Sequence, residues 1–163
     1  MRLRKLLYLA LLTAASLILF LVENQIPAPI PVPGVKLGLG NIIILCVLFL
    51  YGWREALAVL LLKVVLSALL TGQLSALAYS MSGGFLSLAV MCLVKPVLRP
   101  KQLWVGSVLG AMTHNLGQLL AAVAISRTPQ LFGYLPVLLL TGMATGLFTG
   151  LAAQAVTDRL RKR

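Results

Sequence analysis

Six apolar segments separated by short polar stretches make up most of this chain. A helix of roughly 20 apolar residues crosses the ~30 Å hydrocarbon core of a bilayer, and the segments have about that length or somewhat less. We therefore expect an all-α, polytopic membrane protein with six transmembrane helices in a single domain. The predicted spans cover residues 6–22, 37–53, 56–71, 85–97, 103–125 and 134–156.

The basic residues lie mainly on one side of this layout. Short loops rich in Lys and Arg stay in the cytoplasm during insertion, so we expect both termini inside, in a bacterial cytoplasmic membrane. The alternate loops contain only Lys36 and Arg127. The eleven basic residues expected on the cytoplasmic side are Arg2, Arg4, Lys5, Arg54, Lys95, Arg99, Lys101, Arg159, Arg161, Lys162 and Arg163.

Composition agrees with a membrane protein. The chain is 60% hydrophobic and 10% charged, with a mean hydropathy of +1.01, which leaves too little polar surface for a soluble domain. The net charge of +11 comes from residues that flank apolar segments. Such residues meet anionic lipid head groups, whereas a nucleic-acid-binding protein presents its basic residues on a folded polar face. We therefore expect membrane lipids as partners and no nucleic acid.

Two of the expected outer loops have distinctive compositions. Residues 23–40 contain Pro27, Pro29, Pro31 and Pro33, and alternating prolines restrict the backbone to extended geometry, so this loop should be stiff. Residues 72–84 form a polar stretch rich in small residues. They predict a second outer loop, with a short interfacial helix at 74–79.

Span five contains an expensive polar group near the bilayer centre, formed by His114, Asn115 and Gln118. His114 and Gln118 are four residues apart and share a helix face, with Asn115 beside them. Buried amides and imidazoles cost free energy unless they are hydrogen-bonded. The group is therefore either an interhelical structural network or part of a ligand-binding site.

Two lysines are further ligand-binding candidates. Lys63 lies near the middle of span three, where it either faces the bundle interior, with Glu55 as a distant counter-charge, or extends toward an interface. Lys36 and Asn41 lie where the stiff loop enters span two, in a glycine-rich stretch whose backbone N–H groups could approach an anion. The alternative is that Lys36 only marks the membrane surface.

Small residues at four-residue spacing predict close helix contacts. On span six these are Gly142, Gly146 and Gly150, for which packing inside the bundle is the favoured interpretation. On span one they are Ala10 and Ala14, which either pack within the chain or receive the helix of a partner protein.

The acidic residues argue against catalysis by this chain. Glu23, Glu55 and Asp158 are its three acids, and they are far apart, whereas magnesium-dependent diphosphate chemistry needs clustered carboxylates. One His and two separated Cys predict no zinc site, and there is no Walker glycine loop for ATP. We expect a protein that is not an enzyme and has no metal or cofactor.

Two motifs carry a resemblance to a known family. The segments IPVPGVKLGLGN (30–41) and THNLGQL (113–119), together with the glycine-rich last helix, resemble the Gx transporter family, which is also labelled heptaprenyl diphosphate synthase component I. That family is similar to the substrate-binding S components of energy-coupling factor (ECF) transporters. The resemblance implies an ECF S-component-like bundle with both termini inside. It also implies an AxxxA face on the first helix, matched here by Ala10 and Ala14, which contacts a transmembrane coupling subunit.

Two functional hypotheses follow. The first is a membrane-embedded substrate-binding subunit that takes up a small molecule, driven by a separate coupling subunit and its ATPases. The second is an accessory subunit of heptaprenyl diphosphate synthesis or of a quinone or flavin electron-transfer assembly. Neighbouring genes would separate them, because transporter ATPases favour the first and prenyl synthase genes favour the second.

The distribution of basic residues gives a topology prediction. Because the basic loops remain inside, reporter fusions should report the cytoplasm after Arg54, Lys101 and Arg163, and the outside near Gly34, Ser80 and Thr128. At each position, the activity of a reporter that works only in the cytoplasm is compared with that of a reporter that works only outside. A C-terminus on the outer side would contradict the six-span layout.

Overall fold

The computed structural model describes residues 2–25, 38–72, 74–99 and 101–161, with the backbone alone at residues 2, 74–76, 160 and 161. These residues form helices and connecting turns, without a β-strand among them, so the all-α prediction is confirmed. The helices are α1 (Arg2–Gln25), α2 (Leu39–Leu50), α3 (Trp53–Thr71), α4 (Leu74–Val94), α5 (Leu103–Ser126) and α6 (Leu135–Arg161), and a 3₁₀ helix spans Pro129–Tyr134.

Four helical segments are long and apolar enough to cross a membrane by length and composition: Leu3–Gln25, Leu77–Val94, Leu103–Ser126 and Pro129–Arg159. Large apolar side chains are exposed along them, among them Leu11, Leu93, Leu140 and Phe148. A soluble protein rarely exposes so much contiguous apolar surface. The chain is therefore a multi-pass membrane protein. Helix α2, with 12 residues, is shorter, and six complete spans remain a prediction.

The predicted loop at residues 72–84 is wrong, because α4 begins at Leu74 and continues to Val94 without a break. Its Gly83 and Gly84 allow close helix packing instead of a turn. A Cβ on Gly83 would lie 2.7 Å from the carbonyl oxygen of His114, and one on Gly84 would lie 2.8 Å from Leu60. The turn is confined to the α3–α4 connection, where Gly72 has a φ of +69°.

The six helices contact one another as a closed ring. Going round it, α1 contacts α2, α2 contacts α6, α6 contacts α5, α5 contacts α4, α4 contacts α3, and α3 returns to α1. Helix α2 also packs on α3 and contributes a continuous run of buried apolar side chains at residues 44–48, because it is apolar apart from Asn41 near its start. The ring order explains how residues distant in sequence meet at its centre.

Glycines set the closest helix contacts. A Cβ on Gly146 would lie 2.7 Å from the Cα of Val108, and one on Gly150 would lie 2.6 Å from the Cα of Trp104, so α6 touches the backbone of α5 directly. Gly142 meets α5 in the same way one turn further on. The three glycines of span six therefore pack inside the bundle, which is the interpretation that the sequence favoured.

The chain uses basic side chains to join helix ends at the predicted cytoplasmic side. The ammonium group of Lys95 donates to the Leu48 carbonyl at 2.6 Å, so it satisfies a carbonyl at the end of α2 that has no helical partner. Lys5 of α1 forms an ion pair with Glu55, just before the predicted span three. This hydrogen bond lowers the pKa of Glu55. Glu55 therefore pairs with Lys5, and its part as a distant counter-charge of Lys63 stays a prediction.

The contact of α5 with α6 can be tested by adding single methyl groups. Gly146→Ala should destabilise the protein by about 1–3 kcal/mol, because the new Cβ meets backbone atoms that cannot move aside. Gly133→Ala, where nothing lies within 4 Å of the added Cβ, is the matched control. Thermal unfolding in detergent measures both. Equal stability of the two variants would contradict the observed packing.

Candidate functional site

The ring of helices encloses a cavity of about 110 Å³ to which each of the six α-helices contributes. Its lining is mixed, with apolar side chains from α2, α3 and α4 and many hydroxyl and amide groups from α5 and α6. Protein interiors are usually packed without such spaces. The lining residues are Phe20, Glu23, Gly38, Asn41, Leu45, Leu60, Lys63, Val64, Ser67, Ser80, Ser87, Met91, Ser107, Gly110, Ala111, His114, Asn115, Gln118, Thr145 and Thr149.

Helix α1 turns its polar side toward the interior. Thr13, Ser16 and Glu23 are buried, whereas the leucines of this helix are exposed or only partly buried. Their spacing of three and seven residues places them on one helical face. In a membrane this arrangement keeps polar groups away from lipid, where an unsatisfied polar group is costly.

Glu23 fixes the beginning of α2. Its two carboxylate oxygens accept hydrogen bonds from the backbone N–H groups of Gly38 at 2.5 Å and Leu39 at 3.0 Å. Helix α2 has no side-chain cap of its own, because Gly38 stands at its N-cap position. The carboxylate supplies the missing acceptors and balances the positive end of the helix dipole. Glu23 therefore ties the last turn of α1 to the first turn of α2.

Lys63 lies inside the bundle, with 9% of its surface exposed, so it does not extend to an interface. Its ammonium group donates to the side-chain carbonyl of Asn41 at 2.8 Å and lies 5.9 Å from the centre of the Phe20 ring. Gly40 provides the space, because a Cβ there would lie 3.0 Å from the Lys63 side chain. The hydroxyl group of Ser16 donates to the Gly40 carbonyl at 2.8 Å, which fixes this turn of α2 against α1.

His114 and Gln118 form one wall of the cavity from α5. Both pack against Gly83 of α4, where an added Cβ would lie 2.8 Å from the Gln118 side chain and 3.1 Å from the His114 ring. The crossing is reciprocal, because Gly117 of α5 meets the backbone of Ser82 and Gly83, and the Ser82 hydroxyl donates to the Gly117 carbonyl at 2.8 Å. The two helices thus hold the imidazole and the amide in fixed positions.

Asn115 has a structural contact as well as a place in the cavity wall. Its side-chain NH₂ donates to the Leu138 carbonyl of α6 at 2.7 Å, beside Gly142. For this residue the structural-network alternative is therefore supported, since the amide joins α5 to α6. Its side-chain carbonyl is the group left to interact with a ligand.

Hydroxyl groups cover the deeper part of the α5–α6 wall. Ser107 and Thr149 are buried and hydrogen-bonded to each other at 3.1 Å. Thr149 also donates to the carbonyls of Thr145 and Gly146 within α6. Hydroxyl groups can both donate and accept, so this wall can adapt to a polar group in either role.

The comparisons place the chain in a family. A family model described as heptaprenyl diphosphate synthase component I matches residues 12–156, which is most of the sequence. The chain belongs to this family. No curated protein and no solved structure gives a match. The matched residues include all those that line the cavity. The family resemblance of the two sequence motifs is therefore confirmed.

The structure brings five of the six predicted ligand-binding residues to one cavity, namely Asn41, Lys63, His114, Asn115 and Gln118. Lys36 lies outside the described residues. Their role in binding stays a prediction. In the described part of the chain, no group of three or more His, Cys, Asp or Glu side chains is arranged to hold a metal ion.

The structure adds two observations on helix α1, one on Ala10 and Ala14 and one on Glu23. Ala10 and Ala14 are both exposed, so they do not pack within the chain, and the partner interpretation stays open. Glu23 was not a candidate, yet it lines the cavity and is only 6% exposed. Its spacing from Thr13 and Ser16 on one face of an otherwise apolar helix is the pattern that would have revealed it.

The role of Glu23 in holding α2 can be tested directly. Glu23→Gln replaces one acceptor oxygen with an NH₂ group, which cannot accept from a backbone N–H, and should cost about 1–3 kcal/mol. Gln25→Ala, an exposed change on the same turn, should have little effect. Thermal unfolding in detergent provides the comparison. If Glu23→Gln is as stable as the wild type, the two hydrogen bonds do not hold α2.

Proposed function

We propose that this protein is a membrane-embedded substrate-binding subunit for uptake of a small molecule, which works with a separate ATP-driven energy-coupling module. The observation that carries the proposal is the cavity, where all six helices contribute and where a cation, three amides and an imidazole converge. Polar clusters inside a membrane bundle commonly mark a substrate pathway.

The mixed lining supports binding over a purely structural network. A structural network needs only enough polar groups to satisfy one another, and its helices would close around it. Here amides and hydroxyls from α2, α5 and α6 face the same space as apolar side chains such as Leu45 and Leu60. A site with apolar walls and a few placed polar groups is the usual form of a small-molecule pocket.

The position of the cavity supports capture from outside. It extends to Glu23, in the last turn of α1, and to Gly38, just before the start of α2. In the predicted orientation, with both termini inside, these ends face outward. The sequence has Lys36 and four prolines between these two helices, outside the described residues, and we keep the prediction that Lys36 and Asn41 lie at the outer mouth.

The energy source is proposed to lie in partner proteins. The sequence has no ATP-binding loop, and the exposed Ala10 and Ala14 offer a shallow apolar groove on α1 to a neighbouring helix. The similarity to ECF S components implies contact with a transmembrane coupling subunit at this place. We also propose that the chain itself catalyses no reaction, since its three acids are dispersed.

A second candidate function is favoured by the family description. Heptaprenyl diphosphate synthase component I names a part of an isoprenoid-synthesis assembly. Under this hypothesis the protein is a membrane accessory subunit, and its cavity holds an isoprenoid or quinone-related group. The partner that copurifies from native membranes distinguishes the two, because a prenyl synthase subunit supports the second and an ATPase module the first.

The binding function predicts a retained small molecule. Mass spectrometry of the purified protein should detect one, and Gln118→Ala should lower its affinity roughly five- to a hundred-fold, because a ligand group loses a hydrogen-bond partner worth about 1–3 kcal/mol. Gln130→Ala, at an exposed amide in the 3₁₀ helix, is the control. If the wild type retains no small molecule, or if both variants retain it equally, the cavity is not the binding site.

The partner proposal predicts that bulk on α1 prevents assembly. The double variant Ala10→Leu with Ala14→Leu should lose copurification with the coupling module and keep its bound small molecule, because leucine blocks close helix approach. Leucine at the exposed Ala144 and Ala155 of α6 is the control. The absence of a coupling module from wild-type preparations would contradict the proposal.

A further inference from the structure

Many hydroxyl groups in the helices of this protein bond to a carbonyl one turn earlier in their own helix. Thr13, Thr71 and Thr113 are examples, each donating to the carbonyl four residues before it at 2.8 Å. Such a bond gives a buried hydroxyl a partner without help from another helix. Other serines reach a neighbouring helix, as Ser82 of α4 does with the Gly117 carbonyl at 2.8 Å. A buried hydroxyl with neither kind of partner is therefore an exception in the described part of the chain.

Ser87 of α4 is such an exception. It is 7% exposed, and its hydroxyl group makes no hydrogen bond to a described residue. Across the described residues, no buried side-chain nitrogen or oxygen is both sealed from open space and without a partner. The Ser87 hydroxyl therefore faces open space, and the space that Ser87 lines is the cavity. A buried hydroxyl without a partner costs free energy, which a bound polar group would recover.

Gln118 of α5 lines the same cavity. Its side chain touches α4 at Gly83, where an added Cβ would lie 2.8 Å from the Gln118 Cγ. Gly83 precedes Ser87 by four residues, so the two positions share a helix face and lie about 6 Å apart along its axis. The Gln118 amide likewise makes no hydrogen bond within the described part of the chain. Two neutral polar groups without partners thus lie close enough to contact one small molecule.

The surroundings of Ser87 are apolar. A Cβ on Gly110 of α5 would lie 2.8 Å from the Met91 sulfur and 3.1 Å from the Ser87 oxygen, so the thioether lies beside the hydroxyl. Leu60 of α3 lines the same cavity and packs on α4 at Gly84. A hydroxyl group and an amide can donate and accept hydrogen bonds, but they cannot balance a charge. Because an unpaired charge in apolar surroundings is costly, this part of the cavity suits an uncharged polar group.

The two charged side chains of the lining have partners within the chain. Glu23 accepts hydrogen bonds from two backbone N–H groups at the start of α2. Lys63 donates to the side-chain carbonyl of Asn41 at 2.8 Å. The formal charges of Glu23 and Lys63 cancel, and an uncharged ligand leaves both sets of contacts in place.

We propose that the cavity binds a small uncharged solute whose polar group both donates and accepts hydrogen bonds, as an amide does, and that Ser87 and Gln118 hold this group. The inference rests on the proposed binding function and names its substrate class. The cavity of about 110 Å³ is smaller than the roughly 150 Å³ of an engineered cavity that binds benzene, so the solute has about four or five non-hydrogen atoms. The Ser87 hydroxyl donates to the carbonyl of the solute, and the Gln118 carbonyl accepts from its N–H or O–H group.

The test compares acetamide with acetate, two probes of equal size that differ in charge. Each is titrated against the full-length protein in a deuterated, uncharged detergent at neutral pH and constant ionic strength. NMR saturation transfer from the protein to the methyl group of the probe measures the affinity, with protein-free micelles as the blank. Acetamide should bind at least about ten-fold more tightly, because neither Ser87 nor Gln118 balances a carboxylate charge. Equal affinities, a preference for acetate or no transfer to either probe overturns the proposal.

A variant assigns the binding to Ser87. Ser87→Ala should weaken acetamide binding roughly two- to ten-fold, because one neutral hydrogen bond is lost. Ser126→Ala, at an exposed serine of α5 that donates to the Ala122 carbonyl, is the control and should keep the affinity. A Ser87→Ala protein that binds acetamide as tightly as the wild type overturns the role of Ser87.

Thermal unfolding separates a binding hydroxyl from a structural one. Because the Ser87 hydroxyl has no partner among the described residues, Ser87→Ala should unfold at the wild-type temperature or above it, when both proteins have been dialysed free of bound solute. Ser82→Ala, which loses the bond to the Gly117 carbonyl, should instead unfold roughly 2–4 °C lower. An unfolding temperature of Ser87→Ala as low as that of Ser82→Ala overturns the proposal, because the hydroxyl then stabilises the fold.

Failure of the binding function has a different outcome from failure of this inference. If the purified wild type retains no small molecule and neither probe binds, the proposed function fails as well. A retained molecule with a net charge, or one that Ser87→Ala and the wild type retain equally, overturns the solute class and leaves the binding function in place. Mass spectrometry of both purified proteins makes this comparison.

Discussion

The cost of a polar group in hydrocarbon is the constraint on which this structure depends. The leucine-rich α1 turns Thr13, Ser16 and Glu23 inward, α3 does the same with Lys63, and α5 with its amides and imidazole. The outward faces are left apolar for lipid. Because each of the six helices directs polar side chains to the interior, these side chains meet at the centre of the ring.

Glycines allow the helices on one side of the ring, α4, α5 and α6, to pack closely against one another. Gly146 and Gly150 bring α6 against the backbone of α5, and Gly83 and Gly117 do the same where α4 crosses α5. The short α2 is tied by its ends, to Glu23 at its start and to Lys95 near its last turn. These contacts hold Asn41 in the wall of the same cavity that His114, Asn115 and Gln118 of α5 line.

The sequence predicted the parts of this fold that follow from hydrophobicity alone. The apolar segments are helices, and the polar group of His114, Asn115 and Gln118 faces the interior, as expected from the cost of polar groups in lipid. The prediction of a loop at residues 72–84 was wrong, because glycines such as Gly83 are equally suited to a turn and to a close helix crossing. The contacts of Glu23 with Gly38, and of Asn115 with Leu138, depend on which helices are neighbours, which no local pattern reveals.

An experimental structure of the protein purified from its native membrane tests the central claim most directly. The account predicts density for a small non-protein molecule between Ser87 and Gln118, with a polar group within hydrogen-bond distance of the Ser87 hydroxyl. It also predicts the hydrogen bonds of Glu23 to Gly38 and Leu39. A centre in which these side chains bond only to one another, with the helices closed around them, would contradict it.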